Sequence, residues 1–85
     1  MLTVYTKNNC GYCMQAKALL KNRDIEFEEV NIEENPEARE FLINEGLKTM
    51  PQIFEGKLLW VVGGFHGLKD KLNKEKVDTT QLGTL

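Results

Sequence analysis

At 85 residues the chain is long enough for one domain with a thin core and too short for two. Thirteen acidic against eleven basic residues give a net charge of −2, and the basic ones are scattered rather than striped, which argues against a nucleic-acid partner. No stretch has the length and apolarity of a membrane span, and Met1 leads into a short strand pattern without a basic and then apolar leader, so a cytoplasmic protein is expected.

Leu2 to Tyr5 reads as a first strand, followed by a Lys7-Asn8-Asn9 loop. From about Tyr12 to Asn22 the apolar residues Cys13, Ala16, Leu19 and Leu20 fall at helical spacing, which predicts a helix with one buried face. Ile25 to Val30, continued by Asn31 and Ile32, predicts a second strand parallel to the first, so a βαβ unit results. The acidic stretch from Glu26 to Glu37 reads as a solvated face.

Asn35 caps a second helix with Pro36 at its first position; Ala38, Phe41 and Leu42 mark its buried side, and Gly46 ends it. Gln52 to Phe54 and Lys57 to Val62 form an antiparallel hairpin around Glu55-Gly56. A last helix follows Gly63-Gly64 with Phe65, Leu68 and Leu72 inward. The domain spans 1–76, and periodicity is lost in a tail over 77–85.

The two cysteines of the chain stand together in Cys10-Gly11-Tyr12-Cys13, between the first strand and the first helix. One such pair closes too short a loop to constrain the unfolded chain, so the pair serves reactivity rather than stability. A helix N-terminus aims free N–H groups at the first sulfur and favours its thiolate, which predicts a thiol–disulfide redox centre.

Tyr5-Thr6-Lys7 ahead of Cys10-Gly11-Tyr12-Cys13, then Thr49-Met50-Pro51-Gln52-Ile53-Phe54, then Gly63-Gly64, resemble a glutaredoxin in order and spacing, over about Leu2 to Leu72. The resemblance implies an α/β, thioredoxin-like fold: a four-stranded mixed sheet flanked by three helices. Asn22-Arg23, Pro36-Glu37-Ala38 and Leu59-Trp60 ahead of Gly64-Phe65 also resemble the glutaredoxin-like redoxins that donate electrons to ribonucleotide reductase and are recharged by thioredoxin reductase.

By this resemblance Cys10 is the exposed nucleophile, favoured by Lys7 nearby, and Cys13 is the buried resolving thiol. Pro51 is cis, and the Met50 backbone pairs with an extended segment of glutathione or protein substrate. Tyr12 walls the substrate groove, and Thr49, Gly64, Phe65 and His66 complete it. The implied activity is a monomeric dithiol–disulfide oxidoreductase that reduces protein disulfides or glutathione mixed disulfides. Glutathione is its co-substrate, ribonucleotide reductase its protein client, and no cofactor is bound.

Two departures bear on specificity. Glutaredoxins carry acidic or hydroxyl residues shortly after the double glycine to hold the glutamyl end of glutathione, whereas Phe65-His66-Gly67 offers no carboxylate. Positions 66 and 67 are where an introduced Asp is expected to restore one. The second departure is Gly11 in place of the usual Pro, a glycine associated with members that bridge a [2Fe–2S] cluster between two subunits. Cluster carriage and recycling by thioredoxin reductase are the alternatives to a glutathione-linked enzyme. No metal site is expected, since a closed zinc site wants four ligands and the chain offers two Cys and one distant His.

Overall fold

The computed structural model describes residues 1–73, so the domain boundary at 76 and the tail over 77–85 lie outside the described residues. The elements run β1 (Leu2–Thr6), α1 (Gly11–Asn22), β2 (Phe27–Asn31), α2 (Pro36–Asn44), β3 (Gln52–Glu55) and β4 (Leu58–Leu59). A third helix, α3, is described over 64–73. The strands form one sheet in the order β2-β1-β3-β4, with β1 parallel to β2 and the other pairings antiparallel. The four-stranded mixed sheet with three helices is therefore present.

Alternation along the central strands divides the core between the two faces of the sheet. Val4 of β1 and Ile53 of β3, which pair in register, are both fully buried on one face with Leu2, Ala16 and Leu20, closed over by Leu68 and Leu72 of α3. Tyr5 and Phe54 point to the other face, where Phe41 and Leu42 of α2 meet Cys13 and Met50. The disulfide region thus sits on top of the second cluster.

Several boundaries differ from the sequence reading, and the starts of β2 and α1 and the extent of β4 do so for a visible local reason. β2 starts at Phe27 rather than Ile25, because the Ile25 N–H belongs to the end of α1: it donates to Leu20 O at 3.0 Å while Asp24, at φ 56°, donates to Lys21 O. This is a Schellman cap with Asp24 where glycine is usual. α2 closes the same way on the expected Gly46, at φ 76°, with Leu47 N–H on Leu42 O at 2.9 Å. β4 covers Leu58–Leu59 rather than 57–62; Trp60 N–H still bonds to Ile53 O, but Val61 then turns into the core and Gly63 and Gly64 take positive φ, ending the strand. The first helix begins at Gly11 rather than Tyr12, since Cys10 itself is its N-cap.

Candidate active site

The β1–α1 loop is held from outside. Asn31 donates to Asn8 Oδ1 at 2.8 Å, and the Asn8 backbone N–H donates to Glu33 Oε2 at 2.6 Å, so the segment delivering Cys10 is tied to the end of β2 and the turn after it. Asn9 takes φ 55°, a left-handed conformation that asparagine tolerates better than most residues. Cys10 follows with an extended backbone, and its Sγ accepts a hydrogen bond from the Cys13 N–H at 3.2 Å. A sulfur thus fills the capping role that a Ser or Asp oxygen usually plays.

Cys10 and Cys13 are joined as a disulfide, their Cα atoms 5.2 Å apart. Cys13 is 2% exposed and Cys10 9%, so the order of exposure is as expected but Cys10 is not the exposed residue the resemblance implies. Its Sγ is bonded to Cys13 and lies 3.8 Å from Met50 O, and these neighbours cover it. The Cys13 N–H and the N-terminus of α1 face the Cys10 sulfur.

The Met50-Pro51 peptide bond is cis. Gln52, 5% exposed at the start of β3, donates its amide to Thr49 O at 2.7 Å and so fixes the turn that carries Met50. Sequence reading passed over Gln52; a polar residue opening a strand directly after Pro51 is the signal that could have found it. Across from this turn, Gly64 takes φ 60°, and a Cβ there would stand 2.9 Å from Pro51 O. Only glycine permits that approach.

The two turns and the start of α1 enclose a groove of about 160 Å³. Tyr12, Thr49, Met50 and Pro51 line one part of it, Gly64, Phe65 and His66 the other. Tyr12 is half-exposed and stacks on Phe65 at 5.9 Å between ring centroids, with the His66 ring 5.3 Å from Tyr12. Lys7 is not among these residues. It lines a separate hollow on the far side of Met50. At position 67 a Cβ would run into the Val62 carbonyl oxygen, so of the two positions expected to accept an Asp only 66 admits a side chain.

Beneath the disulfide, Tyr5 packs edge-on against Phe54 at 5.5 Å. Burial pushes its phenol above the ordinary value of 10.0, and the Glu28 carboxylate adds to the effect. On the flank of β1, Thr6 donates to Glu29 Oε2 at 2.9 Å, and Lys17 reaches both oxygens of the same carboxylate at 3.0 Å. Among the described residues no cluster of His, Cys, Asp and Glu is arranged to hold a metal ion.

A disulfide at the N-cap of a helix, with one sulfur beneath a backbone edge and a groove beside it, defines a thiol–disulfide oxidoreductase of thioredoxin-like fold. The glutaredoxin family model matches residues 2–59. The glutaredoxin-like protein NrdH of Escherichia coli K12 is 37% identical over 73 residues, covering 86% of this chain and 85% of the relative. Glutaredoxin 3 of the same organism is 46% identical over 52 residues, 60% of this chain and 63% of the relative. The solved NrdH-redoxin of Escherichia coli, described as having a thioredoxin-like activity profile, superposes with a TM-score of 0.67 at 38% identity over 75% of this chain and 82% of its own. The chain belongs to the glutaredoxin family.

Proposed function

We propose that this protein is a cytoplasmic, monomeric reductant of protein disulfides, ribonucleotide reductase foremost among its clients, and that thioredoxin reductase rather than glutathione recharges it. One observation carries the choice of reductant. The groove beside Cys10 is lined by Tyr12, Phe65 and His66 where a carboxylate would be needed to hold the glutamyl ammonium of glutathione. The likeness to NrdH-redoxin, with its thioredoxin-like profile, supports the same reading. The glutathione-linked enzyme expected from the wider family is the weaker reading of this groove.

In the cycle, the Cys10 thiolate attacks one sulfur of the client disulfide. The client S–S bond breaks, and its departing sulfur leaves as a thiolate that takes a proton from solvent. Cys10 is then held to the client as a mixed disulfide, with the client backbone paired to Met50. Cys13 gives up its proton and attacks Cys10 Sγ, which expels the second client sulfur and closes the Cys10–Cys13 bond. Two electrons pass to the client, whose two sulfurs take up one proton from solvent and the one Cys13 gives up, and NADPH returns two electrons and one proton to the protein through the reductase.

The experiment supplies the oxidised protein and a disulfide client with either thioredoxin reductase or glutathione plus glutathione reductase, and follows NADPH consumption. Sustained turnover with thioredoxin reductase and only slow turnover with glutathione is the expected result. Comparable turnover with glutathione overturns the assignment of reductant.

A further inference from the structure

Register places Asn31, the last residue of β2, beside Thr6 at the end of β1, so it stands next to the loop that leads to Cys10. From there its side chain acts twice: Nδ2 donates to Asn8 Oδ1 at 2.8 Å, and Oδ1 accepts the Glu33 N–H, also at 2.8 Å. The second bond shapes the turn from which the Glu33 carboxylate reaches back to take the Asn8 N–H. Asn8 is thus held by its side chain and its backbone at once. Two residues on, Cys10 is held from the other direction, its carbonyl accepting the Met14 N–H at 3.2 Å in the first turn of α1. Asn9 alone lies between the two holds, and it is the residue at φ 55°.

Asn8 and Glu33 are exposed, and bonds between exposed partners add little to stability because water replaces them on unfolding. What they fix here is a conformation. Asparagine tolerates a left-handed φ without requiring it, and such a backbone persists where its surroundings hold it. Turning Asn9 out of it turns the Cys10 that follows. We propose that Asn31 and Glu33 are positioning residues which, through Asn8, keep Cys10 Sγ within reach of the Cys13 N–H once the bond between the two sulfurs is opened. The sulfur then meets its client at the N-terminus of α1, where a thiolate is favoured. The inference rests on the reading of Cys10 as the attacking sulfur. Tyr5 and Cys13 are the other titratable groups of the cluster that holds Cys10, and Lys7, Glu33, Glu34 and Lys48 are charged groups on the segments beside it.

The test uses the Cys13→Ser protein, in which Cys10 is the one thiol and residue 13 still offers its N–H. The ultraviolet absorbance of the Cys10 thiolate is followed against pH, with and without substitutions in the clamp. Asn31→Ala changes no charge, so a moved midpoint reports the position of the sulfur. Asn31→Ala and Glu33→Ala are each expected to raise the midpoint by about one pH unit, as a thiolate that loses a hydrogen bond requires. Glu33→Gln, whose amide oxygen still takes the Asn8 N–H, is expected to titrate close to the parent. A midpoint that stays put in Asn31→Ala, even where the unfolding free energy falls, makes the contacts a purely structural tie and overturns the proposal while the role of Cys10 stands. Midpoints lowered alike in Glu33→Ala and Glu33→Gln assign the effect to the charge of Glu33 and overturn it as well. Mixed-disulfide formation with a client as fast in Cys10→Ser as in Cys13→Ser overturns the reading of Cys10 itself.

Discussion

The two faces of the sheet are built for different ends. The face under α1 and α3 is aliphatic and sealed: Val4, Ala16, Leu20, Ile53 and Leu68 have no exposed surface at all. The face under α2 is aromatic and sulfurous, and its upper edge opens at Cys10 and Met50, each 9% exposed. Both faces use the same two strands, because Val4 and Tyr5, or Ile53 and Phe54, are adjacent residues pointing opposite ways. Stability is concentrated where nothing reacts, and the disulfide lies over the ring cluster with Cys10 Sγ held by the Cys13 N–H. A chain this small cannot give separate layers to the two tasks, so a one-residue alternation separates them.

The sharpest way to break that contrast is one substitution on each side. Leu20→Ala on the sealed face is expected to lower the unfolding free energy by about 2–5 kcal/mol, the cost of a cavity among fully buried neighbours, while each folded molecule keeps its activity. Cys10→Ser on the open face is expected to abolish disulfide reduction, because a hydroxyl cannot form the mixed disulfide. Urea unfolding of the reduced proteins, paired with turnover per folded molecule, reads both. Loss of turnover in folded Leu20→Ala would show that the sealed face also shapes the site.

A smaller effect is expected at the groove's edge. Gly64→Ala places a Cβ 2.9 Å from Pro51 O at φ 60°, and a left-handed alanine alone costs about 1–2 kcal/mol. The Gly63–Gly64 turn must then move away from Pro51. Client KM should rise with little change in the rate of the chemical step, since Cys10 and Cys13 are untouched. A KM at the wild-type value with the stability loss present would separate the groove's shape from client binding.

How much of this could be read from the residues depends on the range of the forces involved. Local rules placed the redox pair, the Asn35 cap, the Gly46 stop and the inward faces of the helices, because spacing and capping act within a turn or two. The cis bond at Pro51 came with the family resemblance and is present. Non-local contacts were out of reach. Gln52 matters through a bond back to Thr49, and position 67 is closed to side chains because the chain returns against Val62. Alternation alone puts Ile25 in β2, although its N–H is needed by the α1 cap. Lys7, three residues before Cys10 along the chain, lines the other side of Met50.

The smallest expected effect lies on the edge of the sheet, where Glu29 joins β2 to α1. Its carboxyl is held below the ordinary value of 4.5, chiefly by the hydrogen bond from Lys17, with further help from the Thr6 hydroxyl and against the opposing effect of burial. A carboxyl whose folded value is depressed stabilises the fold above its unfolded value, and that contribution disappears as pH falls through the folded one. The pair is part-exposed, with Lys17 and Glu29 side chains 27% and 39% accessible, so its worth is at most about 1 kcal/mol and salt reduces it. Glu29→Gln should therefore be less stable than wild type at pH 7 and indistinguishable from it near pH 2, when unfolding free energies are compared across that range. A difference that persists at pH 2 would mean that the Thr6 hydroxyl, buried and donating to Glu29, suffers from the amide in its own right, and that packing rather than charge joins the edge strand to α1.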